Sequence, residues 1–91
     1  LYKMSSFHGD TITTTASELM KVCYDYADQN TGDDKVNFDF FFKMPNGNRF
    51  YVYDWKEYRI LNEDERVEFH IGANSSADSR EALEYVYELI N

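Results

Sequence analysis

Nine residues restrict the fold more than anything else in this 91-residue chain. Val36, Phe38, Phe40, Phe42 and Met44 alternate with Asn37, Asp39, Phe41 and Lys43. A two-residue period puts successive side chains on opposite faces of a strand, so this segment is a strand with one strongly apolar face. Met44-Pro45-Asn46-Gly47-Asn48 follows as a turn, and Arg49 to Trp55 resumes the alternation. Pro45 has no N–H to give to a ladder, which disfavours a two-residue Asn-Gly loop. A three-residue loop, with Pro45 and Asn46 in a type I turn and Gly47 in the left-handed bulge position, removes the conflict. Met44 then opposes Asn48. Phe42 faces Phe50, Phe40 faces Val52 and Phe38 faces Asp54. On the other face Lys43 meets Arg49, Phe41 meets Tyr51, Asp39 meets Tyr53 and Asn37 meets Trp55. A slip of one residue would mix the two sets.

The remaining elements follow from capping and periodicity. Thr15-Ala16-Ser17-Glu18 has the form of a capping box, and Ala16, Leu19, Met20 and Cys23 form one helical stripe after it. The polar run from Asp28 to Asp34 reads as the loop that ends this helix. Val67, Phe69 and Ile71 form the apolar side of a third strand, with Glu68, His70 and Gly72 on the other side. Asp78-Ser79-Arg80-Glu81 is a second capping box. Ala82, Leu83, Val86, Leu89 and Ile90 give the stripe of a C-terminal helix, beside an acidic strip of Glu81, Glu84 and Glu88. The expectation is one α+β domain over residues 1–91. Its antiparallel sheet is three-stranded, or four-stranded if Thr11-Ile12-Thr13 joins as an edge, with both helices on the phenylalanine face.

Such a layout leaves the other sheet face open. It carries Phe41, Lys43, Arg49, Tyr51, Tyr53, Trp55 and His70, with Arg59 in the following loop. Rings set among a few cations are the composition of a recognition surface. They also stabilise a hairpin by cross-strand pairing, and they suit an interface between copies of the chain. All three readings stand at this stage.

Composition narrows the function classes. Seventeen acids against nine bases give a formal charge of −8, which opposes direct nucleic-acid binding and anionic membrane surfaces. No apolar run approaches the ~20 residues of a membrane helix. The single cysteine, Cys23, cannot form an intrachain bridge and lies on a core stripe, so a buried structural thiol is expected. His8 and His70 have no metal-ligand spacing. The Asp28–Asp34 run has its glycine at the fifth position rather than the sixth of a calcium loop. No phosphate loop, dinucleotide glycine pattern or nucleophile elbow occurs. The reading is a non-enzyme without a cofactor.

Tyr53-Asp54-Trp55-Lys56-Glu57-Tyr58-Arg59, followed by Glu68-Phe69-His70-Ile71-Gly72, resembles a pattern in small, mostly uncharacterised tailed-bacteriophage proteins. Asp34-Lys35-Val36-Asn37-Phe38-Asp39 resembles the acidic strand that precedes it there. The resemblance covers roughly residues 7–90, and it implies a viral accessory protein working in the host cytoplasm. Joined to the open aromatic face, it leads to an inhibitor that binds a host protein or protein–nucleic acid complex, such as a CRISPR or restriction component. The alternative is a protein, oligomeric by expectation, that sequesters a nucleotide signal. In that case the rings hold the base, and Arg49, Lys43 or Arg59 holds phosphate.

Overall fold

The computed structural model describes residues 5–91. The chain order is β1 (Ser6–Thr14), α1 (Ala16–Val22), β2 (Asp25–Asp28), β3 (Phe38–Lys43), β4 (Arg49–Tyr53), β5 (Val67–Ala73) and α2 (Ser76–Ile90). The five strands form one antiparallel sheet in the order β1-β5-β4-β3-β2. The α+β class agrees with the sequence reading, but the expected three or four strands do not.

Two features account for the difference. β2, Asp-Tyr-Ala-Asp, is exposed at every position, so it shows no burial period and its end merged with the polar run after it. Cys23, expected inside the first helix, is its extended C-cap, and the chain turns straight into β2. β1 is three times the length of the expected Thr11–Thr13 edge. Its register breaks between Phe7 and Thr11, where Gly9 adopts φ 97°, and a bulge of this kind hides the two-residue period.

The central hairpin has the expected register: Phe42 opposite Phe50, Phe40 opposite Val52, Phe41 opposite Tyr51, Lys43 opposite Arg49 and Asp39 opposite Tyr53. Gly47 takes φ 89° and donates to the Met44 carbonyl at 2.9 Å, while the Met44 N–H bonds the Asn48 carbonyl at 2.8 Å. This is the three-residue loop that Pro45 requires. Pairing stops two positions early, however, at Asp39 and Tyr53. Asn37 and Trp55 do not face each other on the open side, because Asn37 is buried and Trp55 is exposed. Phe38 meets Asp54 through its N–H, which bonds the Asp54 side chain at 2.7 Å.

Phe38, Phe40, Phe42, Phe50, Val52, Phe69 and Ile71 make the apolar face, and all are essentially inaccessible. Ala16 and Leu19 from α1 and Ala82 and Val86 from α2 join the same cluster, so both helices cover that one face. Thr15 caps α1 by accepting from the Glu18 N–H at 3.1 Å. α2 begins earlier than the second capping box suggests. Ser75, not Asp78, is its cap and accepts from the Asp78 N–H at 3.1 Å.

Both sheet edges are blunted. On β2 the Tyr26 N–H donates to its neighbour Asp25 at 2.8 Å, and just beyond the strand the Asn30 N–H donates to Asp28 at 3.2 Å. On β1 the Arg66 guanidinium donates to the Thr13 carbonyl at 3.1 Å. Edge strands invite further pairing, and charges and local capping oppose it. Replacing both Asp25 and Asp28 with valine is expected to convert β2 into an adhesive edge. Sedimentation velocity should show concentration-dependent self-association that the parent chain lacks at the same concentration.

Candidate functional site

The open face is a tiled aromatic surface rather than a set of isolated rings. Phe7, brought in by β1, stacks on His70 at 4.1 Å with an interplanar angle of 20°. His70 lies 5.7 Å from Tyr53 and 6.3 Å from Trp55, and Tyr53 and Trp55 meet edge to face at 6.2 Å. Further along, Phe41 packs on Tyr51 at 5.1 Å and receives Tyr24 edge-on at 5.8 Å. Lys43 Nζ sits 4.2 Å from the centre of the Tyr24 ring. Tyr24 and Phe7 were not among the expected site residues; one precedes a strand without periodicity and the other lies before the β1 bulge.

This tiling changes what each expected residue offers. Tyr51 belongs to the open face but is only 7% exposed, so it is a support and not a contact. Burial, and then the charge of Asp39, push the Tyr51 and Tyr53 phenols above their ordinary range. Burial also lowers the His70 imidazole, with Glu68 opposing, so the ring is mainly neutral at neutral pH. Phe41 is half-buried, whereas Lys43, Arg49 and Trp55 reach solvent. Arg59 is held elsewhere: its guanidinium forms a two-pronged pair with Glu65, both bonds 2.8 Å.

The most constructed part of this side is the loop from Asp54 to Leu61. Asp54 is fully buried, and its side-chain oxygens accept from the Asn37 N–H at 2.9 and 3.1 Å, the Asn37 amide at 3.1 Å and the Phe38 N–H at 2.7 Å. Asn37 in turn donates to the Arg59 carbonyl at 3.0 Å and accepts from the Gly32 N–H at 3.2 Å. The Asn30 side chain bonds both backbone groups of Leu61, at 2.7 and 2.8 Å. The Lys56 N–H donates to the Lys35 carbonyl at 2.7 Å. Gly32 passes so close that a Cβ would stand 2.9 Å from the Ile60 nitrogen.

This clamp holds two non-glycine residues in left-handed conformations, Lys56 at φ 57° and Tyr58 at φ 51°. Each such residue costs on the order of 1–3 kcal/mol, and such strain persists only where surrounding contacts over-determine the backbone. The result is that Trp55, Tyr58 and Ile60 point outward at 38%, 54% and 66% exposure from a backbone with little freedom.

The Arg59–Glu65 pair closes the base of this loop. The Arg59 fork, and then the Asn62 N–H, hold the Glu65 carboxyl down to about 2 from an ordinary 4.5. A depressed acid contributes above its unfolded value and loses that contribution as pH falls through its folded value. The pair therefore operates fully at neutral pH and fades between pH 4.5 and about 2. An NMR titration of the Glu65 carboxyl carbon should show a midpoint near that low value, returning toward 4.5 in an Arg59→Ala variant.

Beside the loop lies a concavity of about 370 Å³, bounded by Ala27, Gln29, Asp34, Lys35, Asp39 and Trp55 among others. Lys35 Nζ and Lys56 Nζ both lean on the Trp55 ring, 5.9 and 5.6 Å from its centre. Ala27, Asp34 and Lys35 join Trp55 only because three separate segments bring them together, which no sequence pattern signals.

Elsewhere the chemistry is structural. Cys23 packs against the core, and burial, with Asp25 adding to it, pushes its thiol up, away from nucleophilic use. Among the described residues no group of three or more His, Cys, Asp or Glu side chains is placed to hold a metal ion. Among them, too, no helix is long and apolar enough to cross a membrane. No protein-family model, curated protein or solved structure matches the chain.

Proposed function

We propose that this chain is a non-catalytic accessory protein of phage type. It acts in the host cytoplasm, where it docks on a host protein or protein–nucleic acid complex, such as a defence component, and blocks it sterically. The observation that carries this reading is the clamped loop, which presents Trp55, Tyr58 and Ile60 to solvent from a strained and heavily bonded backbone. Tryptophan and tyrosine are the residues most enriched among binding hot spots, and a rigid presentation lowers the ordering cost of association. Leaving large rings in water is otherwise unproductive.

The charge supplies the second half of the argument. The chain carries −8 overall, so long-range attraction favours a partner with a basic surface, such as a groove that normally holds nucleic acid. The acidic strip of Glu84 and Glu88 is exposed on α2, while Glu81 accepts from Asn46 and Asn48 at 3.0 and 3.3 Å and ties the hairpin turn to the helix.

The test begins with a partner isolated from host lysate and rebuilt from purified components. A Tyr58→Ala/Ile60→Ala variant is expected to bind it about 100-fold more weakly, with an unchanged unfolding midpoint. Equal affinity for the variant and the parent chain overturns the reading.

A further inference from the structure

We infer that Asn46 is a self-modifying site, where the side-chain amide is lost by cyclisation onto the Gly47 nitrogen, and that Glu81 of α2 sets the pace. This goes beyond the docking loop. The hairpin turn precedes β4, and the loop from Asp54 to Leu61 follows its other end.

Three observations converge. First, Asn46 alone among the chain's asparagines precedes a glycine. Cyclisation needs the nitrogen of the next residue to reach Cγ, and a neighbour without a Cβ leaves that approach open. Asn46 and Gly47 are both exposed, and a Cβ at Gly47 would meet nothing within 4 Å, so water has access. Second, the reacting groups are activated but held. Asn46 Oδ1 accepts from the Asn48 N–H at 2.9 Å, which polarises Cγ toward attack. Nδ2 donates to Glu81 Oε1 at 3.0 Å, which anchors the leaving nitrogen to α2. The Gly47 N–H donates to the Met44 carbonyl at 2.9 Å, so the nucleophile is engaged as well. The reaction therefore waits for the turn to loosen. Third, the product cannot restore the tie to the helix. A bond forms between the Gly47 nitrogen and Cγ, the Cγ–Nδ2 bond breaks, and the amide nitrogen leaves as ammonia with the Gly47 proton. Water then opens the cyclic imide. Attack at Cγ gives aspartate, and attack at the main-chain carbonyl carbon gives isoaspartate, with the chain routed through the side chain. Either product sets a carboxylate against the Glu81 carboxylate, where an N–H had donated. Among the described residues Glu81 then keeps the longer bond from Asn48, at 3.3 Å. Isoaspartate also lengthens the loop that sets the hairpin register. The modification thus unties the hairpin turn from α2 and adds one negative charge to a chain that carries −8.

The full chain is incubated at mildly alkaline pH, and conversion at each asparagine is followed by peptide mass spectrometry, with fragmentation that separates aspartate from isoaspartate. Asn46 is expected to convert ahead of Asn74, an exposed asparagine that precedes Ser75. Glu81→Ala should speed conversion at Asn46 about fivefold, the factor that one hydrogen bond of ordinary net strength is worth. Glu81→Gln keeps an acceptor oxygen and should accelerate it less. Conversion at Asn74, beside the start of α2, should not change in either variant. An Asn46→Asp variant should unfold at a lower urea concentration than the parent. The docking variant Tyr58→Ala/Ile60→Ala should convert at the parent rate, which separates this site from the loop. An Asn46 that stays intact through the incubation overturns the inference, as does a rate there that Glu81→Ala leaves unaltered. Equal acceleration at Asn74 also overturns it, since the helix would then be losing its fold and not releasing the turn. An unchanged unfolding midpoint for Asn46→Asp overturns the untying.

Discussion

Asp54→Ala is expected to destabilise the protein by about 4 kcal/mol, measured by urea denaturation, and to release the loop with it. The side chain accepts from three separate donors, the Asn37 N–H, the Asn37 amide and the Phe38 N–H, inside a site with no solvent access. Alanine leaves those donors in place with nothing to receive them, at about 1–3 kcal/mol each before relaxation. A domain of this size is stable by about 5–15 kcal/mol in total, so the variant should lie near the edge of folding. The accompanying sign is local. With Asn37 no longer held, its bond to the Arg59 carbonyl weakens, and Lys56 and Tyr58 can leave their left-handed conformations. Amide exchange from Trp55 to Ile60 should then accelerate more than exchange in β5. Uniform acceleration would mean that Asp54 supports the whole fold and not the loop.

Phe40→Ala should cost about as much, roughly 4 kcal/mol, for a different reason. Phe40 is fully buried and stands among three rings: Phe38 and Tyr26 at 5.8 Å and Phe69 at 6.0 Å. Alanine there loses the transfer of the ring from water and leaves a cavity that a sheet between two fixed neighbours cannot close. The adjacent Phe41→Ala is the control. Its ring lies on the open face against Tyr51 and Tyr24, and its removal should cost about 1 kcal/mol. The two denaturation midpoints should differ widely at similar slopes. Comparable losses would show that the open face is packed as a core.

The hairpin was legible because two independent signals agreed in the sequence. The alternation from Val36 to Met44 gave the faces, and Pro45 with Gly47 gave the loop length that sets the register. Both helices were legible from stripes, although α2 starts at Ser76 because Ser75 reaches the Asp78 N–H first. β2 was not legible, since a strand exposed on both faces has no burial contrast to print on its sequence. The bonding of Asp54 was not legible either. Strand periodicity alone places it on the core face opposite Phe38, but gives no hint that its oxygens replace a ladder pair. The expected site residues divide accordingly. Phe41, Tyr53 and His70 tile the open face, Tyr51 is buried beneath it, and Lys43, Arg49 and Trp55 reach solvent. Arg59 is committed to Glu65. Lys35 and Lys56 meet at the Trp55 ring only because the fold brings separate loops together.

The order of the strands has a consequence for how the molecule comes into being. The two outermost strands, β1 and β2, are consecutive strands in the chain, and among the described residues β1 pairs with β5 alone. Ser6 through Thr14 must therefore wait, after emerging from a ribosome, for Val67 through Ala73 before it has any ladder to join. The β3–β4 hairpin is local and can form early, whereas closure by β1 demands a long loop and comes late. A nascent chain halted before Val67 should show the hairpin protected and the first strand still open to protease.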